Sequence, residues 1–197
     1  MCTNLPNIMK KLAVLASGTG TNTEQIIRHF QGNKEISVAV VVTNKADAGV
    51  IERAENLGVK ACFLPKEAWK EGHEVLELLR RYEVDFIVLA GFLLKIPPTL
   101  LQHFPNRIIN IHPALLPKFG GKGMYGDKVH QAVVEAGEKQ TGITIHYIDA
   151  NYDEGTNIFQ ATCEVLPGDT PQQVAQKVHQ LEYRYYPQII EQTVLKL

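Results

Sequence analysis

Short apolar runs alternate with amphipathic segments through the first half of the chain. The runs VAVVV and FIVLA are rich in β-branched residues and free of polar ones, which is typical of parallel strands covered on both faces. Between such runs, apolar residues recur at helical spacing, as at Ile26, Ile27 and Phe30. The pattern predicts strands over residues 12–17, 36–42, 60–63, 86–90 and 107–111. It predicts helices over residues 48–57 and 67–82, a helix that starts at Asn22, and a short helix opened by Pro97 and Pro98.

The pattern changes after Gly142. Two apolar strands, over residues 142–148 and 158–166, are separated only by a short loop, so we expect them to pair antiparallel. A long helix follows, for which Thr170 and Pro171 form a typical cap and first turn.

The order of these elements predicts a single α/β domain over residues 1–197. Alternating strands and helices favour an open, mostly parallel sheet with helices on both faces, here extended by an antiparallel strand addition at the C-terminal end. No repeat, low-complexity segment or linker divides the chain. Residues 1–9 are expected to form a flexible N-terminal tail, and the glycine-rich stretch over residues 117–126 has no predicted element.

The composition argues against several classes of ligand. A net charge of −1 over 197 residues provides no field that would attract nucleic acid or an anionic membrane. The cysteines Cys2, Cys62 and Cys163 show neither metal-ligand spacing nor a disulfide framework, which fits a reducing compartment. No apolar run reaches membrane-spanning length. We therefore expect a cytoplasmic protein that acts on small molecules, without nucleic acid, membrane or metal as a partner.

A glycine-rich turn, SGTGTN over residues 17–22, lies where the first strand passes to the first helix. Asn22 is predicted as the N-cap of that helix, with Gln25 three residues later. Unpaired N–H groups at a helix start favour an anion, most plausibly phosphate. Thr23 replaces the third glycine of a dinucleotide fingerprint, so that alternative is weak. A turn selected only for its geometry stays open.

Asn110 and His112 lie two residues apart on the strand over residues 107–111 and its carboxyl end. Side chains alternate along a strand, so these two polar groups project to the same side, where open α/β sheets bind their ligands. An amide can donate a hydrogen bond to an oxygen that gains negative charge, and an imidazole can exchange a proton near neutral pH. The alternative is an asparagine that caps a loop and a histidine satisfied by backbone carbonyls.

Asp153 lies in a polar, acidic loop that follows the strand ending at Ile148. A carboxylate beside His112 would favour the imidazolium form of that ring. A solvated turn is the alternative, because Asp/Asn/Gly-rich segments commonly form one. The remaining histidines are predicted to be structural, and no HExxH or similar spacing suggests a metal site; they are His29, His73, His103, His130, His146 and His179.

Four blocks of the sequence closely resemble the phosphoribosylglycinamide formyltransferase family, the folate-dependent formyltransferases of purine biosynthesis. They are ASGTGTN (16–22), VLAGFLLKIP (88–97), NIHPALLPKFGGKGMYG (110–126) and YDEGTNIFQA (152–161), and they follow one another in the family's order. The resemblance covers essentially the whole chain. It implies transfer of the formyl group of 10-formyltetrahydrofolate to the amine of 5-phosphoribosylglycinamide in IMP biosynthesis, through a tetrahedral intermediate and without a metal. The working form would be a monomer or a homodimer.

The resemblance also implies residue roles. The catalytic set would be Asn110, His112 and Asp153. The phosphoribosylglycinamide would be held by Gly20, Thr21, Asn22 and Glu182. The folate pocket would contain Leu93, Leu94, Lys95, Ile96, Asn110, Asp149, Ala150, Asn151, Tyr152 and Asp153. Some family members carry an arginine at the position of Leu94, and Lys95 is the nearest charge here. Lys118 and the glycines after it resemble a mobile loop beside the site.

Other formyl-handling enzymes share an Asn-x-His pair and a later aspartate, and they are the nearest alternatives. A methionyl-tRNA formyltransferase is disfavoured because the chain has no basic excess and no second RNA-binding domain is apparent. A sugar formyltransferase and a formyltetrahydrofolate hydrolase stay open, although the SGTGTN turn favours a small phosphorylated acceptor. A non-catalytic nucleotide- or folate-binding module is also compatible with the fold, but the set Asn110, His112 and Asp153 argues against it.

Overall fold

A computed structural model describes residues 9–150 and 153–197, and within these residues seven strands form one sheet. The strands are β1 Lys10–Leu15, β2 Ile36–Thr43, β3 Ala61–Phe63, β4 Phe86–Leu89, β5 Ile108–His112, β6 Gln140–Tyr147 and β7 Asn157–Glu164. The helices are α1 Thr21–Phe30, α2 Val50–Asn56, α3 Ala68–Glu71, α4 His73–Arg81, α5 Pro98–His103, α6 Asp127–Glu135 and α7 Pro171–Val194. No helix in the described part of the chain is long and apolar enough to cross a membrane.

The sheet has the order β3-β2-β1-β4-β5-β6-β7. Strands β1 to β5 pair in parallel, whereas β6 pairs antiparallel with both β5 and β7. The predicted mostly parallel sheet with an antiparallel C-terminal addition is therefore confirmed. The residues predicted as a tail lie outside the described residues, except for Met9.

Helices cover both faces of the sheet because successive strand residues point to opposite faces. Val14 packs in a core cluster with α1, α2 and α7, while its neighbour Leu15 packs in a second cluster with α3, α4 and α5. Both side chains are fully buried. The uninterrupted apolar runs follow from this arrangement, since a strand covered on both faces has no solvent side for a polar residue.

The chain direction through the sheet creates a crevice between β1 and β4. From β1 the chain proceeds to β2 and β3 on one side, and it then returns to place β4 on the other side of β1. The loops that follow β1 and β4 therefore leave in opposite directions, which is where open α/β sheets bind ligands. These loops are joined by a backbone hydrogen bond of 3.1 Å from Ser17 N–H to the Gly91 carbonyl.

The start of α1 differs from the prediction. Gly20, not Asn22, is the N-cap, in a left-handed conformation with φ of 80°, and it has no side-chain cap. Asn22 lies in the first turn, where its side chain donates a hydrogen bond to Glu182 on α7. A second difference is that the helix predicted over residues 67–82 is two helices, because Gly72 adopts a φ of 78° between α3 and α4. At the C-terminal helix, by contrast, Thr170 is the N-cap, as predicted.

The sequence pattern predicted no element for α6. Its buried residues Val129, His130 and Val133 have the i, i+1, i+4 spacing of an amphipathic helix. The helix has only nine residues and follows a glycine-rich segment, so its periodic pattern was too short to stand out in the sequence. The helix matters because it places His130 against the cleft described below.

Candidate active site

A cleft of about 680 Å³ lies over the carboxyl ends of β1, β4 and β5. Its walls are the glycine turn after β1, the loop after β4, part of the glycine-rich loop after β5, and one side of α7. The predicted catalytic and anion-binding residues line this single cavity; they are Gly20, Thr21, Asn22, Asn110, His112, Asp153 and Glu182. Residues that are far apart in the sequence therefore share one site.

The structure brings His112 and Asp153 together. His112 Nδ1 lies 3.6 Å from Asp153 Oδ2, and the two side chains are only 4% and 13% exposed. The loop that carries Asp153 leaves β6 and folds back at once, because Tyr147 N–H donates to the carbonyl of Thr156. Asp153 itself has a φ of 56°, so the chain turns sharply at that residue and the carboxylate points back towards β5.

The hydrogen bonds of His112 determine which ring nitrogen is available for chemistry. Nε2 lies 2.7 Å from the carbonyl oxygen of Phe119. A carbonyl only accepts, so Nε2 must carry a proton. Nδ1 is then the nitrogen that gains and loses a proton, and it faces Asp153. Phe119 belongs to the glycine-rich loop, and sequence reasoning did not assign it any role.

The same loop also holds Asp153. The backbone N–H of Gly121 donates to Asp153 Oδ2 over 2.9 Å, and this is the oxygen closest to His112. Gly120 approaches closely at this point, since a Cβ atom there would lie 2.5 Å from Leu116 Cδ2. Gly120 therefore packs closely against Leu116 and Asp153.

His146, for which the sequence suggested a structural role, contacts two of the predicted catalytic residues. It lies directly opposite Asn110 in the antiparallel β5–β6 register and is fully buried. Its Nε2 is 3.3 Å from Asn110 Nδ2 and 3.6 Å from Asp153 Oδ1. The strand pairing that creates this proximity is long-range, so no local sequence signal could have revealed it.

The glycine turn after β1, predicted to bind an anion, is shaped by Gly20. A Cβ atom at Gly20 would lie 2.5 Å from Val50 Cγ2, so α2 leaves no room for a side chain. Asn22 Nδ2 donates to Glu182 Oε2 over 2.9 Å, which joins the turn to α7. Burial raises the pKa of Glu182, against the opposing effect of this hydrogen bond. Lys45 lines the cleft close to the turn and places a positive charge at its edge.

The predicted folate segment lines the other part of the cleft with Leu93, Leu94, Lys95, Ile96 and Asp149. Ala150 is not among the lining residues, and Asn151 and Tyr152 lie outside the described residues. Ser17 joins this segment to the glycine turn. Its hydroxyl accepts from Leu93 N–H over 3.0 Å and donates to Asn44 Oδ1 over 2.6 Å. The Ser17 hydroxyl therefore links the two parts of the cleft by a hydrogen bond.

Two further histidines, for which a structural role was predicted, line the cleft. His130 on α6 is 2% exposed, and its ring packs edge-on against that of His179 on α7, with centroids 6.1 Å apart. Burial lowers the pKa of His130 to about 4, with a smaller contribution from His179. Within residues 9–150 and 153–197, no cluster of three or more His, Cys, Asp or Glu residues could hold a metal ion.

Comparison with known proteins agrees with the resemblance of the sequence blocks. The Formyl transferase family model matches residues 10–190. The phosphoribosylglycinamide formyltransferase of Bacillus subtilis is 42% identical over 93% of this chain and 94% of its own length. The chloroplastic phosphoribosylglycinamide formyltransferase of Arabidopsis thaliana is 43% identical over 92% of this chain, which spans 64% of that relative's length. Glycinamide ribonucleotide transformylase 1 from Symbiobacterium toebii superposes with a TM-score of 0.85 at 37% identity, covering 94% of this chain and 87% of the other.

Proposed function

Because the chain belongs to the formyl transferase family, we propose that it transfers the formyl group of 10-formyltetrahydrofolate to the amine of 5-phosphoribosylglycinamide. The products are the N-formyl derivative and tetrahydrofolate, in the biosynthesis of IMP. Both substrates are small molecules, and the proposal includes a cytoplasmic reaction catalysed by a monomer or a homodimer. The names of the relatives support this acceptor in particular.

The shape of the cleft supports two adjoining subsites. The acceptor's phosphate fits the turn formed by Gly20, Thr21 and Asn22, where a helix start offers N–H groups to an anion. Glu182 extends this subsite along α7 as an acceptor for hydroxyl groups. The donor occupies the segment from Leu93 to Ile96, whose apolar side chains suit a flat heterocycle. The formyl carbon then lies between the subsites, beside Asn110 and His112.

The reaction proceeds by direct attack of the acceptor's amine on the formyl carbon. The carbonyl oxygen becomes an oxyanion in the tetrahedral intermediate, and hydrogen-bond donors from Asn110 and protonated His112 stabilise it. Protonated His112 also supplies a proton to the folate nitrogen as the carbon–nitrogen bond breaks, and the proton that the attacking amine loses on forming the amide restores the charged ring. Asp153 sits 3.6 Å from His112 Nδ1 and orients the ring.

Within this mechanism, Nδ1 of His112 is the nitrogen that transfers the proton. Nε2 remains hydrogen-bonded to the Phe119 carbonyl. The Nε2 proton could reach the substrate only if the glycine-rich loop moved. Nδ1 is the ring nitrogen that faces the Asp153 carboxylate, at 3.6 Å from Oδ2. The backbone of the glycine-rich loop thus sets the direction of proton transfer.

The observation that carries this proposal is the meeting of Asn110, His112 and Asp153 in the same cleft as the anion-binding turn. An absorbance assay that follows conversion of 10-formyltetrahydrofolate to tetrahydrofolate, with and without phosphoribosylglycinamide, tests it. We expect turnover that requires the acceptor. Equal turnover without the acceptor would instead identify a hydrolase, and the absence of turnover under both conditions would refute the proposal.

A further inference from the structure

We propose that His146 is a positioning residue whose neutral ring holds the Asn110 carboxamide with its N–H group turned to the ring, so that Asn110 stays a hydrogen-bond donor in the cleft. This inference rests on the proposed function, since it concerns how Asn110 performs its role there. It goes beyond that function by giving a task to a histidine that makes no direct contribution to the proton transfer.

The contacts of His146 determine its tautomer. Its Nδ1 lies 3.0 Å from the carbonyl oxygen of Tyr147. A carbonyl only accepts, so Nδ1 carries a proton, and a neutral ring then has a lone pair on Nε2. The lone pair can only accept, and the group 3.3 Å away is the Asn110 carboxamide. The carboxamide must therefore present its NH₂ group to His146.

The surroundings of the ring determine its charge. Burial lowers the pKa of His146 and outweighs the opposing effects of the Tyr147 carbonyl, Asp153 and Asp149, while nearby His112 acts in the same direction as burial. The ring is completely shielded from solvent, where a charge is costly without a close partner. Asp153 Oδ1, at 3.6 Å, is too far for a good hydrogen bond to Nε2. These conditions keep His146 neutral near pH 7.

The neutral ring in turn orients Asn110. With one N–H of Nδ2 bonded to His146, the second N–H is left for another acceptor, such as the oxygen that gains charge in the reaction. A protonated His146 would donate from Nε2 and favour the opposite amide orientation, which would place the Asn110 oxygen against the ring. In this arrangement His112 transfers the proton of the reaction, and His146 orients the Asn110 carboxamide.

Three substitutions separate this role from packing. His146→Leu removes both ring nitrogens. His146→Gln places an amide oxygen near the position of Nε2, where it can accept from Asn110. His146→Asn is one methylene shorter, so its amide reaches only the position of Nδ1 and serves as the matched polar control. We expect kcat to fall roughly tenfold to a hundredfold in the Leu and Asn variants and to recover at least partly in the Gln variant, with the KM of each substrate within about threefold.

The decisive measurement is a double-mutant cycle with Asn110→Ala. If His146 acts through Asn110, His146→Leu lowers kcat in the wild-type background but has almost no further effect in the Asn110→Ala background. Independent, multiplicative losses in the two backgrounds would overturn the inference, as would a His146→Leu variant with normal kcat. If the wild-type chain had no transferase activity, the proposed function itself would be refuted.

A measurement on the wild-type chain tests the same inference without any variant, so it does not depend on whether the variants fold. Long-range ¹H–¹⁵N correlation NMR at pH 7 reports which ring nitrogen carries the proton, and it does so without any turnover. We expect His146 to be neutral and protonated on Nδ1. A ring protonated on Nε2, alone or in the charged form, would contradict the proposed orientation of Asn110 whether or not the enzyme transfers formyl groups.

Discussion

Asp153 lies between two imidazole rings that hold their protons differently. His112 is protonated at Nε2 by its bond to the Phe119 carbonyl, and it turns Nδ1 towards the carboxylate. His146 is protonated at Nδ1 by its bond to the Tyr147 carbonyl, and it turns Nε2 towards Asn110. Two backbone carbonyls therefore place a proton on opposite nitrogens of the two rings.

The first prediction at this scale concerns the two proposed oxyanion donors. Asn110→Ala and His112→Ala should each reduce kcat by roughly a hundredfold or more, because loss of one such donor has effects of that order. Steady-state kinetics of the purified variants, with circular dichroism to verify the fold, provide the measurement. His103→Ala is a matched control, since His103 is an exposed residue whose ring contacts the carbonyl of Thr99. Near-normal kcat in either active-site variant would contradict the assigned roles.

The second prediction concerns stability at acid pH. The pKa of His130 is about 4 in the fold against an ordinary value of 6.5, so between these pH values the unfolded chain binds more protons. Stability is therefore fully present above pH 6.5 and decreases as the pH falls towards 4, by at most about 2 kcal/mol between pH 7 and 5 for this group. Asp127 opposes the shift, whereas His179 and His112 contribute to it.

Denaturant unfolding of the wild type and of His130→Gln at pH 7 and pH 5 tests this linkage. We expect a smaller loss of unfolding free energy on acidification in the variant, because glutamine does not titrate. His146 contributes in the same direction, since its pKa is also lowered, so the variant should retain part of the pH dependence. Identical pH dependence of the two proteins would show that His130 is not the group responsible.

At the scale of elements, the C-terminal helix α7 connects the core with the site. Its Tyr186 is fully buried and donates to the carbonyl of Leu89 over 2.8 Å, at the end of β4. One turn earlier, Glu182 accepts from Asn22 at the start of α1. The helix thus fixes the distance between the loop after β4 and the anion-binding turn, which are the walls of the two proposed subsites.

The glycine turn provides a matched pair of substitutions at this scale. Gly20→Ala should destabilise the fold by about 1–3 kcal/mol, because the φ of 80° is unfavourable for alanine and the added Cβ would contact Val50 at 2.5 Å. Gly18→Ala lies in the same turn, with ordinary φ and no atom within 4 Å of the added Cβ, so its stability should be close to that of the wild type. Equal unfolding free energies for both variants would contradict the proposed geometry of the turn.

Most elements were predictable because their signals are local. The apolar runs of β2 and β4 and the cap at Thr170 depend on neighbouring residues only. The start of α1 at Gly20 depends instead on the close approach of Gly20 to Val50 and on the hydrogen bond from Asn22 to Glu182, and both partners are distant in the sequence. The same holds for His146, because only the β5–β6 register places it beside Asn110.

In the molecule as a whole, the sheet order brings residues from widely separated parts of the chain into one cleft. The reversal of chain direction at β1 opens the crevice, the antiparallel β6 supplies His146 and the loop of Asp153, and α7 closes one side. The resemblance of the sequence blocks correctly predicted the family, and most of the site residues that it implied line this cleft. It did not predict how the backbone of the glycine-rich loop contacts both His112 and Asp153.

The most direct test of formyl transfer in this cleft is to follow the carbon itself. The chain is incubated with 10-formyltetrahydrofolate labelled with ¹³C in the formyl group and with phosphoribosylglycinamide, and ¹³C NMR identifies the product. We predict that the label appears in the N-formyl amide in an amount equal to the folate donor consumed. Label found in free formate, with no labelled amide, would contradict the account.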